Sequence, residues 1–112
     1  MKVAWLTWLP TNGSAAVELK KHLNGNGGLI EIVSLTPQQK LTPAKALQIV
    51  AELSREYDAV AFIANPVLIE AARNFKIQNF KKEGMTFARW LCPDFYGTEA
   101  GRVEGVRWCQ VS

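Results

Sequence analysis

With 112 residues, 48% of them apolar, the chain is long enough to bury a core without metal or disulfide support, and it reads as one globular domain rather than a disordered segment. A formal charge of +3 and a pI near 9.0 fall short of the clustered basic stripe that duplex nucleic acid requires, but they suit a small anionic ligand. The N-terminal apolar run is about a third of a bilayer-spanning length and no small-residue cleavage site follows it, so the expected setting is cytoplasmic and away from the membrane.

In chain order, the apolar run over residues 3–9 predicts a first strand, broken by Pro10-Thr11-Asn12-Gly13-Ser14. Ser14 is the expected N-cap of a helix whose inner face carries Ala16, Leu19 and Leu23. The cluster Asn24-Gly25-Asn26-Gly27-Gly28 supplies the conformations that end it. A second strand is expected over residues 29–35. Glu31 interrupts its apolar face, which places it nearer a sheet edge. Thr42-Pro43 then reads as a cap followed by proline at the first helical position, and Ala46, Ile49, Val50, Leu53 and Tyr57 recur at helical spacing.

Residues 59–64 form a continuous apolar run without a polar face, the pattern of a central parallel strand covered on both sides. Asn65-Pro66 repeats the cap-then-proline device and starts a third helix through Leu68, Ala72 and Phe75, extending toward Lys81-Lys82 with Gly84 as its C-cap. After Gly84, two strands are predicted over residues 85–92 and 103–111, joined by a loop over 93–102, the second running antiparallel. Three strand-helix units in succession predict a small Rossmann-like α/β domain. Its open sheet is mainly parallel, with helices on both faces and a C-terminal antiparallel hairpin strand.

In such sheets ligands bind beyond the carboxyl ends of the strands. The strand-end residues are Trp8, Thr11, Asn12, Gly13 and Ser14 after the first strand, Ser34 and Thr36 after the second, Asn65 after the third, and Asp94, Phe95 and Tyr96 after the fourth. Backbone N–H groups, hydroxyls and amides at a helix N-terminus favour phosphate, and Trp8 or Tyr96 could stack on a base. Ser14 and Asn65 are equally explained as caps, and for Asn65 the cap is the favoured reading. The chain contains neither glycine pattern of the nucleotide-binding loops.

An enzyme is harder to read from these residues. His22 falls inside the first helix, away from the strand ends, and no nucleophile triad, carboxylate cluster or acidic receiver-type pocket is legible. Arg89 and Arg102 are candidate charge stabilisers for a reaction that needs only positioning, though solvated surface positions explain them as well. No cofactor or metal is expected. Cys92 and Cys109 are too far apart in sequence for C-x-x-C chemistry; they read as reduced thiols that a C-terminal hairpin could bring face to face. Seven of the eleven aromatic residues, Phe75, Phe80, Phe87, Trp90, Phe95, Tyr96 and Trp108, lie in the last third. That surplus fits either a covered sheet face or a homodimer interface.

The turn Thr11-Asn12-Gly13-Ser14, the segment from Phe62 to Ala72 with Asn65-Pro66 within it, and the strand Trp90-Leu91-Cys92-Pro93-Asp94 resemble the CRISPR-associated Rossmann-fold (CARF-like) domains of small ring nucleases. The resemblance implies binding of a cyclic oligoadenylate-type ligand across a homodimer, through Thr11, Asn12, Ser14 and Asn65. It also implies cleavage without metal, by attack of a ribose 2'-hydroxyl. The competing expectation is a non-enzymatic interaction or inhibitor protein that uses its aromatic C-terminal region.

Overall fold

Short apolar runs that alternate with amphipathic segments can bury themselves only as a layered sheet, and the computed structural model shows how this chain does so. It describes residues 1–23, 29–36, 40–63, 65–79, 88–97 and 103–111. The elements are β1 (Lys2–Leu6), α1 (Ser14–Leu23), β2 (Glu31–Ser34), α2 (Pro43–Glu56), β3 (Ala59–Phe62), α3 (Pro66–Asn79), β4 (Arg89–Gly97) and β5 (Val103–Gln110). The five strands form one sheet in the order β2-β1-β3-β4-β5, parallel except for the final β4–β5 pair. The expected mainly parallel α/β architecture is therefore the observed one, and β2 is an edge strand as its interrupted apolar face indicated.

Alternation along the strands sorts the core into two layers. Val3, Trp5, Ala59, Ala61, Leu91, Val106 and Trp108 face α1 and meet its Ala15, Ala16, Leu19 and Leu23. Ala4, Val60, Phe62 and Trp90 face the other way, against Ala46, Val50 and Leu53 of α2 and Leu68, Ala71 and Ala72 of α3. Every residue of β3 is buried, as its apolar run demanded. Each layer holds a buried indole with a hydrogen bond: Trp108 Nε1 donates to the Ala15 carbonyl at 2.9 Å, and Trp90 Nε1 donates to Ser54 Oγ at 3.0 Å.

Four expectations need correction. The first strand ends at Leu6, not Leu9. Thr7 Oγ1 accepts the Leu9 N–H at 3.0 Å and the fully buried Trp5 indole donates to the Leu9 carbonyl at 2.8 Å, so side chains take the groups a ladder would need. The second strand is shorter at both ends than residues 29–35.

Third, Ser14 is not the N-cap of α1. The Gly13 carbonyl accepts the first helical bond, from Val17 N–H at 3.2 Å, so Gly13 is the cap and Ser14 the first helical residue.

Fourth, residues 93–97 are strand rather than loop, despite Pro93. Val111 N–H donates to the Trp90 carbonyl, which makes those two opposed residues a hydrogen-bonded pair. Alternation then leaves Pro93, opposite Trp108, in a non-hydrogen-bonded pair, where its missing N–H would point away from β5. The β3–β4 register stops at Leu91, so among the described residues no strand lies on that other side to miss the donor.

The expected turn at 24–28, the extension of the third helix to Lys81-Lys82 with Gly84 as cap, the start of the fourth strand at residues 85–87, and Ala64, Arg102, Phe80 and Phe87 lie outside the described residues.

Candidate functional site

β4 pairs with β3 only through Leu91, yet it runs on to Gly97 with β5 beside it. The β4–β5 hairpin thus projects past the carboxyl ends of the parallel strands, on the side where the β1–α1 turn lies. Between them is a cleft of about 320 Å3, lined by Leu9, Pro10, Gly13, Ser14, Ala15 and Glu18 from the first unit and by Phe95, Tyr96, Gly105 and Val106 from the hairpin. That volume is at the small end of the range for ligand sites.

The wall from the first unit is rigid for identifiable reasons. Trp5 holds the Leu9 carbonyl, and the turn Pro10-Thr11-Asn12-Gly13 closes with Gly13 N–H on the Pro10 carbonyl at 3.2 Å. Trp108 anchors the first turn of α1 through Ala15. Because the cap is a glycine, it brings no capping side chain of its own to this helix end. Among the described residues no side-chain oxygen accepts from Ser14 or Ala15 N–H. The other two helices are closed: Thr42 Oγ1 accepts from Lys45 N–H at 3.2 Å, and Asn65 Oδ1 from Val67 N–H at 2.9 Å. One turn further along α1, Glu18 adds a half-buried carboxylate that also meets Lys21 at 3.4 Å.

On the hairpin wall, Phe95 opposes Val106 and shares the α1 side of the sheet with Trp108. It remains 45% exposed, so an apolar ring stands uncovered at the cleft. Tyr96 falls on the opposite face by alternation. Its ring lies across Gly105, where a Cβ would collide with it, and the Arg107 guanidinium sits 5.4 Å from the ring centroid. Asp94, on that same face, reaches Arg107 at 3.9 Å in an exposed pair worth about 0–1 kcal/mol.

Of the residues predicted to bind ligand, the structure brings Gly13, Ser14 and Tyr96 together at the cleft. Trp8 is 64% exposed and lines no part of it. Thr11 and Asn12 occupy the exposed corner of the turn, and Thr36 follows the edge strand β2, beyond β1 from the cleft. Asn65 spends its side-chain oxygen on α3. Arg89 begins β4 at the opposite end of the sheet, bonded to Gln110 Oε1 at 3.2 Å and 3.3 Å from His22 Nε2.

Glu18 and Gly105 were not among the sequence-based candidates, and Phe95, named with the strand-end residues, was not assigned a ligand contact. The lone glycine in an otherwise strand-like run was the one available signal, since such a glycine marks close approach of another group. Among the described residues no cluster of three or more metal-ligating side chains is present, and no helix is long and apolar enough to cross a membrane.

Comparison with known proteins found no match: no protein-family model, curated protein or solved structure is significantly similar to this chain.

Proposed function

We propose that the protein binds a nucleotide-like ligand in the cleft between the β1–α1 turn and the β4–β5 hairpin. The observation that carries this reading is the pairing, in one cleft, of a helix N-terminus without a capping side chain and an uncovered phenyl ring. Ser14 and Ala15 N–H groups, at the positive end of the α1 dipole, suit a phosphate. Phe95 offers a base a stacking face. Glu18, one helical turn from Ser14, accepts hydrogen bonds from ribose hydroxyls and disfavours a second phosphate at that position. A nucleoside monophosphate meets all three requirements.

A cyclic oligonucleotide is too large for about 320 Å3. Its binding would require two copies of the chain to share their clefts, so the homodimer belongs to that version of the proposal and sedimentation at micromolar concentration tests it. The proposal stops at binding, because the one described arginine considered for catalysis, Arg89, lies at the far end of the sheet.

The test is a calorimetric and thermal-shift comparison of adenosine, adenosine monophosphate, adenosine triphosphate and cyclic oligoadenylates. A ligand at 100 times its Kd should add about 2.7 kcal/mol of stability. Ser14→Asp suits the helix dipole but places a negative charge where the phosphate would sit, so it should abolish binding of phosphorylated ligands while the chain stays folded. If no nucleotide shifts the melting transition, or if Ser14→Asp binds as the wild type does, the proposal fails.

A further inference from the structure

The β4–β5 ladder sets two thiols directly opposite each other: Cys92 pairs with Cys109 in the register. Both are free, Cys109 exposed and Cys92 half-buried at the margin of the core layer under α2 and α3. Alternation from the bonded pair Trp90 and Val111 makes this a hydrogen-bonded pair as well. Its α carbons then stand about 5.5 Å apart, within the span a disulfide bridges. Neither thiol lines the ligand cleft, so the case for the thiol pair does not rest on the proposed binding function.

We propose that Cys92 and Cys109 are a reversible dithiol–disulfide pair, oxidised by small-molecule disulfides of the glutathione class, that staples β4 to β5 where the hairpin leaves the sheet. The exposed Cys109 thiolate attacks one sulfur of the small disulfide, forming a mixed disulfide and releasing one small thiolate. The Cys92 thiolate then attacks the Cys109 Sγ and releases the second. The two protein thiols are oxidised, the small disulfide is reduced to two thiols, and the two protons that leave the protein are taken up, through solvent, by the released thiolates.

The order of attack follows from surroundings. Burial, and secondarily the charge of Cys109, push the Cys92 thiol up to about 11, so at neutral pH it is almost wholly protonated and unsuited to the first step. Ring closure should therefore accelerate about tenfold per pH unit through the neutral and mildly alkaline range, as the Cys92 thiolate fraction rises. The staple closes the chain between residues 92 and 109, and so restrains the segment that carries Phe95 and Tyr96.

The experiment equilibrates the full chain, at low micromolar concentration, in glutathione buffers from fully reduced to fully oxidised, then quenches with acid, alkylates and weighs it. Expected is a monomeric species lighter by two hydrogens, with the peptides carrying Cys92 and Cys109 joined and dithiothreitol restoring both thiols. Cys92→Ser should halt at a mixed disulfide on Cys109, and Cys109→Ser should leave Cys92 unmodified over the same interval. If the wild type halts at the mixed disulfide, joins between chains or stays reduced in fully oxidised glutathione, the proposal is overturned. A closure rate flat with pH would remove Cys92 as the resolving thiol.

Discussion

Two neighbouring strands, β1 and β3, each deliver the chain to a helix at the same end of the sheet, and the two junctions are finished in opposite ways. After β3, Asn65 Oδ1 takes the Val67 N–H, the Asn65 carbonyl takes the Ile69 N–H, and Pro66 brings no donor at all. After β1, the corresponding position is Gly13, which has a carbonyl for Val17 and no side chain for the N–H groups beyond it. The first junction is sealed by its own residues, whereas the second is left open beside a cleft. Strand ends in this fold are thus not equivalent. What distinguishes them is whether the local sequence has already used the donors that a ligand would need.

The largest expected effect comes from loosening the open junction from below. Trp108→Ala removes the ring that meets Trp5 at 5.6 Å and the donor that holds Ala15, and should cost about 3–5 kcal/mol in urea unfolding. Trp90→Ala, its counterpart beneath α2 and α3, should cost about as much, since it also strips Ser54 of its partner. The milder Trp108→Phe and Trp90→Phe sharpen the contrast. Each should lose roughly 1 kcal/mol, but only the Trp108 variant should weaken nucleotide binding in calorimetry.

Asn65→Ala breaks the sealed junction and should cost about 0.5–2 kcal/mol with no change in ligand affinity. Equal loss of binding would place Asn65 in the site. Gly13→Asp attempts to seal the open junction. A Cβ there meets Pro10 at an ordinary 3.5 Å, and the new carboxylate should stabilise the helix by a few tenths of a kcal/mol while excluding an anionic ligand. The smallest effect belongs to Ser14→Ala, which at the first helical position should change stability by less than about 0.5 kcal/mol. A loss of 1–2 kcal/mol in chemical denaturation would restore Ser14 as the cap.

The elements were legible where a single local rule decided them. Thr42-Pro43 and Asn65-Pro66 started helices because cap and proline act within one turn, and the unbroken apolar run at residues 59–64 marked a central strand because only two-sided burial tolerates it. The misread boundaries depended on partners distant in sequence or on side chains competing with the ladder. Pro93 reads as a strand breaker until the register shows that no strand needs its donor, and Trp8 and Leu9 read as strand until Trp5 and Thr7 take the Leu9 backbone. The aromatic surplus divides in the same way: Trp90 and Trp108 are core, while Phe95 and Tyr96 are exposed.

From sequence alone followed the α/β class, the succession of strand-helix units and the edge position of β2, because periodicity, capping and turn chemistry act over a few residues. Tertiary structure alone decided the strand order, the passage of β4 beyond β3, and hence which predicted residues share a cleft: Gly13 and Ser14 with Phe95 and Tyr96, and not with Thr36 or Asn65. The reason is physical. Which strand ends become neighbours depends on how two core layers are buried at once, a condition on the whole sheet that no local stretch of chain contains.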